Sequence, residues 1–246
     1  RIQQRHRTTG YPDGPPPPLP ERFRGRPVIA AGACPDGCRE CAEVCPTGAI
    51  TLAGSVRLDL GKCLFCSECE AACPAGAIHF GHDFRLAASR REDLVLAGDD
   101  ARLAVELSRR LRRLLGRSLK LRVVSAGGCN ACEADVNVLT TVGWDLGRFG
   151  IQYVASPRHA DGLLVTGPVT QAMRPALQKT WEAVPEPRIV IAVGACAISG
   201  GPYLGHPEQH DGAVTTVPVD LYVPGCPPHP LTILDGLLRL LGRIPE

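Results

Sequence analysis

Apolar and polar positions set the two halves of this 246-residue chain apart. From Leu119 onward, apolar runs of strand length alternate with segments of helical period. Leu119–Ser125 is an apolar strand leading into Gly127-Gly128, and Asn130–Val142 is compatible with a helix. Ile151–Ala155 and Gly162–Thr166 are strand-like, and Gln171–Ala183 reads as a helix with Pro175 in its early part. Arg188–Val193 is a continuous buried strand, and Leu231–Leu241 is a leucine-rich terminal helix. This alternation predicts a flavodoxin-like α/β arrangement, a parallel sheet with helices on both faces.

The upstream pattern is weaker. Gly48–Leu52 and Val56–Leu60 read as short strands flanking a turn at Gly54, and Gly76–Phe80 is a third. Residues 1–27 are rich in Arg and Pro and lack apolar surface, so they predict an extended arm, either a frayed terminus or a strap across a partner subunit. Over 84–118 the character changes again. Asp99 or Asp100 can cap a helix in which Leu103, Leu107, Leu111 and Leu114 make one apolar face, with a stop near Gly116. The rest of that helix carries Arg102, Arg109, Arg110, Arg112, Arg113 and Arg117 against Glu106. It is either a solvated linker face or a basic docking surface for an acidic partner or an anionic membrane.

Cysteine spacing adds the chemistry. Eight of twelve cysteines lie between Cys34 and Pro74, and the segment repeats itself. Cys38, Cys41 and Cys45 map onto Cys66, Cys69 and Cys73 at an offset of 28, and C-P-T-G-A-I (45–50) maps onto C-P-A-G-A-I (73–78). Three thiolates at this spacing can wrap one face of an iron–sulfur cube, and the fourth comes from the other run, as in bacterial two-cluster ferredoxins. One 4Fe–4S cluster is therefore assigned to Cys34, Cys38, Cys41 and Cys73, and a second to Cys63, Cys66, Cys69 and Cys45. Three residues separate Cys34 from Cys38, which predicts a slightly wider loop there. Zinc, a disulfide framework and free buried cysteines compete, but the doubled run with both Cys-Pro ends favours clusters. The half is then a compact βαβ-type repeat. Ile50 and Ile78 should pack on the clusters, and His79 and His82 should lie at the surface.

Cys129, Cys132, Cys196 and Cys226 remain, in the turns G-G-C-N-A-C-E, V-G-A-C-A-I and V-P-G-C-P-P. In an open parallel sheet the C-terminal strand ends share one edge, where ligands bind. Four thiolates on that edge make a third 4Fe–4S site, with tetrahedral zinc as the competitor. The glycines would let backbone approach the cluster and aim amides at its sulfurs.

Composition narrows the partners. Net charge is +2, which argues against general nucleic-acid binding. No apolar run approaches the ~18–20 residues of a membrane span, so a soluble or peripheral chain is expected. Cluster thiolates need a reducing compartment. No G-x-G-x-x-G fingerprint is present, and every cysteine is already assigned, so neither NAD, flavin nor nickel is expected on this chain.

A resemblance follows from longer motifs. L-L-V-T-G-P-V-T (163–170), V-P-E-P-R-I-V-I-A-V-G-A-C-A-I-S-G-G-P-Y (184–203), V-P-V-D-L-Y-V-P-G-C-P-P (217–228) and S-P-R-H-A-D (156–161) look like the cluster-bearing small subunit shared by respiratory complex I, where it is the 20 kDa-type subunit, and membrane-bound NiFe hydrogenases. Residues 20–95, including P-E-R-F-R-G-R-P (20–27), resemble the ferredoxin subunit that partners it. The chain thus resembles a fusion of two neighbouring subunits. That implies an extended arm (1–27), a two-cluster ferredoxin domain (28–83), a basic helical linker (84–118) and a small-subunit α/β domain (119–246). Quinone-reducing complex I carries adjacent cysteines in the first motif. Cys129-x-x-Cys132 is instead similar to the energy-converting, group 4 hydrogenases of the formate hydrogenlyase kind. The family places acids just after the second cysteine. Glu133 matches, while Asp135 stands where the family tends to have Glu; both are candidate proton-transfer acids. The resemblance implies an electron relay through three clusters to a large subunit (NiFe or complex I 49 kDa-type). Membrane-arm subunits and an electron donor or acceptor complete the assembly, on the cytoplasmic side of the membrane. The alternatives are the same subunit in a quinone-linked complex lacking nickel, or a free ferredoxin-type carrier.

Overall fold

The computed structural model describes residues 8–35, 37–52, 54–98 and 102–244. The repeat is visible in its backbone. Helix α1 (Glu40–Glu43) and strand β2 (Ile50–Leu52) recur as α2 (Glu68–Ala72) and β4 (Ile78–Phe80). Both Cys-Pro turns close through a glycine of positive φ, Gly48 at 60° and Gly76 at 59°. Strand β1 (Pro27–Ile29) pairs antiparallel with β4, and β3 (Val56–Asp59) pairs with β2. Strand β5 (Val95–Leu96) adds to β3, so this half draws on chain beyond residue 83. Ile50 and Ile78 are buried beside Cys41, Cys63 and Cys69, and His79 and His82 are exposed.

The expected linker helix is largely absent. Asp99 and Asp100 lie outside the described residues. Helix α3 spans only Arg109–Leu115, and Ser108 caps it by accepting from the Leu111 N–H at 3.4 Å. Residues 102–108 form no regular element. Their backbone is already committed: the Ala104 N–H donates to the Ala87 carbonyl and that of Leu107 to the Leu240 carbonyl. The proposed apolar face is also wrong in one position, since Leu114 is 55% exposed and Leu115 is buried.

The remaining strands form one all-parallel sheet. They are β6 (Leu119–Ser125), β7 (Ile151–Tyr153), β8 (Gly162–Thr166), β9 (Ile189–Val193) and β10 (Leu221–Val223), in spatial order β10-β9-β8-β6-β7. Strand order reverses between β6 and β8, which makes their C-terminal ends the crevice of a flavodoxin-like sheet. Alternation along the strands sorts the two faces. Leu164, Ile189, Ile191, Leu221 and Val223 point to α4 (Ala131–Val138) and α7 (Pro230–Leu240). Leu163, Val165 and Val190 meet Leu177 and Trp181 of α5 (Arg174–Ala183). Ala192 and Tyr222, on that second face, pack into the cysteine-repeat half. The short helix α6 (Ala195–Ser199) and the three-residue β10 were not anticipated, because neither is long enough to display a period.

The two halves are joined by hydrogen bonds as well as by this core. Ala88 and Tyr222 exchange N–H···O bonds of 3.0 and 2.9 Å, and the Ser199 hydroxyl donates to the Gly61 carbonyl at 2.8 Å.

From Thr8 onward the N-terminal arm lies on the chain's own C-terminal half, rather than fraying. The Arg148 guanidinium donates to the carbonyls of Thr9 and Tyr11 at 2.6 and 2.7 Å. The Tyr11 hydroxyl donates to Asp235 Oδ1 at 2.6 Å, and its ring stands edge-on to Phe84. Asp235 is fully buried on α7 and accepts a second bond from Arg239 Nε at 2.9 Å. Tyr11→Phe should leave that carboxylate one donor short and lower unfolding free energy by about 2 kcal/mol, the range for a hydrogen bond to a charged group. Urea unfolding of the full chain measures this, and an unchanged midpoint would show that the strap contributes nothing.

Candidate metal centres

All twelve cysteines are free thiols. In the repeat, sulfurs of the two runs lie within electrostatic reach of one another. Burial pushes the Cys41 thiol up, and the sulfurs of Cys34, Cys73 and Cys38 raise it further. Burial pushes Cys63 up to about 12 despite a hydrogen bond from the Phe65 amide; Cys69, Cys45 and Cys66 add to the rise. Cys69 is raised to about 11, first by burial and then by Cys66 and Cys45. Each of these thiols thus has at least one cysteine of the other run within electrostatic reach. Backbone amides reach the sulfurs at matching positions: Ala49 N–H donates to Cys45 Sγ and Ala77 N–H to Cys73 Sγ, each at 3.2 Å. Phe65 N–H donates to Cys63 Sγ at 3.3 Å from a residue held at φ 55°.

The third group forms where the strands end. Cys129 follows β6, Cys132 lies in the first turn of α4, Cys196 opens α6 after β9, and Cys226 follows β10. Burial raises the Cys132 thiol, with Cys196, Glu133, Cys226 and Cys129 adding to it. Cys196 is raised to about 11 by burial, then by Cys226 and Cys129. Cys129 and Cys226 are exposed and Cys196 is buried, so the group opens on one side.

Neutral thiols tolerate this crowding, but thiolates would repel one another. A cationic centre removes the conflict by replacing the protons, so the donor set fits a metal-containing group in all three places. Among the described residues no three Cys, His, Asp or Glu side chains are placed to hold a single metal ion. The sulfurs of each set lie within electrostatic reach of one another but not within one ion's ligand shell.

Glu133 and Asp135 separate in role. Glu133 is buried and its Oε1 accepts from the Thr166 hydroxyl at 2.6 Å, tying the first turn of α4 to the end of β8. Thr166 carried no signal in the sequence, because the contact joins residues on different elements. Asp135 lies inside α4, half-buried, and takes part in no ion pair among the described residues. Burial alone raises its carboxyl. Neither capping nor a salt bridge accounts for it. It lines a cavity of about 290 Å³ with Phe65, Cys226 and His229, between the second and third groups.

Residues 129–240 match the family described as NADH ubiquinone oxidoreductase, 20 Kd subunit. A probable membrane-bound hydrogenase subunit, mbhJ, of Pyrococcus furiosus is 41% identical over 134 residues, which span 54% of this chain and 80% of that protein. This chain belongs to the 20 kDa-subunit family. Residues 32–77 of this family member match a 4Fe-4S dicluster domain, so iron–sulfur chemistry is indicated for its first half as well. Formate hydrogenlyase subunit 7 of Escherichia coli is 43% identical over 136 residues, 55% of this chain and 53% of that one. An NADH-quinone oxidoreductase subunit of Clostridium beijerinckii is 42% identical over 118 residues, 48% of this chain and 70% of that one.

Gly194 is tightly constrained at the family's sheet edge. It sits at φ 91°, and a Cβ there would come within 2.5 Å of Cys132 Sγ. Gly194→Ala should abolish metal loading of the third group and spare the other two. Iron analysis with EPR reads this, and full loading of the variant would show that the close approach is not needed.

Proposed function

We propose that this chain is an electron-relay subunit holding three 4Fe–4S centres in a membrane-associated, energy-converting NiFe hydrogenase of the formate hydrogenlyase kind. Its membership of the 20 kDa-subunit family and its dicluster segment carry the coarser statement, a subunit of a complex I-like oxidoreductase. The division into a two-centre N-terminal part and a one-centre C-terminal part belongs to the proposal.

The observation that supports a relay is the order in which the groups meet. Cys69 of the second group feels the charge of Cys41 of the first. Cys226 of the third feels that of Cys66 of the second. The second group is thus a neighbour of both others, the order a relay needs. When bound, such clusters supply reversible one-electron chemistry. The chain's own residues would hold the centres in that order, aim the Ala49, Phe65 and Ala77 amides at sulfurs, and keep water from the first two with Ile50, Ile78 and Leu58. Amide donors of this kind favour the reduced, more negative state of a centre. Turnover is assigned to a large partner subunit docked at the open side of the third group, where Cys129 and Cys226 are exposed.

Cys129-x-x-Cys132 favours the hydrogenase reading. A quinone-linked assembly without nickel is the second, favoured by the likeness to the NADH-quinone oxidoreductase subunit of Clostridium beijerinckii. Among the described residues no helix is long and apolar enough to cross a membrane, so membrane association would be peripheral or through partners.

Metal analysis with EPR on the intact complex should find about twelve irons on this chain. About eight irons, or zinc in place of four, would remove one centre. Nickel in the complex supports the hydrogenase; its absence leaves the quinone-linked assembly.

A further inference from the structure

Helix α3 carries a charge pattern that the relay does not use. At about 100° per residue, Arg109, Arg110, Arg113 and Leu114 fall on one arc of the helix. Leu111 and Leu115 fall on the opposite side and pack into the core. Arg117 follows just past the helix end. Arg109, Arg110, Arg113 and Arg117 are all exposed, and none forms an ion pair among the described residues. Arg112, off the arc, is neutralised by Glu106 at 2.6 Å. Leu114, at the arc's edge, is 55% exposed. Both α3 and Arg117 lie outside the two family matches, 32–77 and 129–240.

We propose that this arginine arc of α3 rests on an anionic phospholipid surface. The inference rests on the membrane-associated reading above. Guanidinium groups match phosphate oxygens in paired hydrogen bonds, and all four cations here are arginine. An apolar side chain among them suits the layer beneath the headgroups, whereas an acidic protein face would leave Leu114 against charge. Position agrees. α3 leads directly into the N-terminal end of β6, and Cys129 follows its C-terminal end. Seven residues of strand put the two ends roughly 20 Å apart. A lipid contact at α3 therefore leaves the open side of the third group free for a partner subunit.

Flotation of the full, iron-loaded chain with vesicles tests this. It should bind phosphatidylcholine vesicles containing phosphatidylglycerol, release as salt rises, and ignore phosphatidylcholine alone. The triple substitution Arg109→Gln, Arg110→Gln, Arg113→Gln should weaken binding about 100-fold, from the contribution of each basic residue near an anionic surface. The Lys triple variant, which keeps the charge and guards against a folding defect, should retain most of the binding. Leu114→Ser should weaken binding at high salt more than at low salt. Failure to float with anionic vesicles overturns the proposal, and retention of the same chain on polyglutamate would assign the arc to an acidic protein instead. Undiminished binding of the Gln variant also overturns it. Iron content and EPR signals of every variant report the relay reading separately.

Discussion

Thiolates repel one another, and a fold that gathers four of them must hold them against that repulsion until a positive centre takes the protons' place. On the proposed reading this chain does so three times, by two different means. In the first half the sulfurs sit in tight turns closed by Gly48 and Gly76, with Ala49 and Ala77 amides turned onto Cys45 and Cys73. In the second half the sheet does the work. Parallel strands end on one edge, so Cys129, Cys132, Cys196 and Cys226 come within electrostatic reach of one another although nearly a hundred residues separate the first from the last. Gly194 keeps that edge open, because any side chain there would occupy the space of the Cys132 sulfur.

The spacing between the second and third groups depends on how the halves pack. Small residues make the joint close. Ala192 on the sheet and Ala197 on α6 face the cysteine-repeat core, and a Cβ on Gly61 would strike Ile198 at 2.7 Å. Ser199 and the Ala88–Tyr222 bridge fix the orientation with hydrogen bonds. On the opposite face α7 is buried along its whole length between the sheet and the chain that crosses it, including Tyr11 and Leu107. A polypeptide that carries both halves therefore holds their separation by covalent linkage, a shared core and a strap. Cys66 and Cys226, one from each half, share that fixed joint.

The two family matches divide this inventory. Apart from β6, they cover the dicluster segment and the C-terminal sheet, whose relatives are subunits of hydrogenase and NADH-quinone oxidoreductase. The arm and α3 fall outside them. These two segments hold unusual concentrations of proline and arginine, and both are ordered by contacts with the family fold rather than by cores of their own.

Local pattern determined a good deal. The offset of 28 announced the doubled cysteine run, and alternating apolar runs announced the parallel sheet, since both signals are written at short range. The strand segments and the longer helices α4, α5 and α7 appear close to where the periods put them. Contacts between distant residues decided the rest. Leucine spacing over 103–114 suggested a long helix, but α7 and Ala87 claim the backbone of that stretch, leaving α3 at seven residues. The arm's docking needed Asp235 and Arg148 in place before Tyr11 could have a partner. The Thr166–Glu133 bond and the Gly194–Cys132 approach likewise join separate elements, and no one-dimensional period encodes which strand ends will face each other.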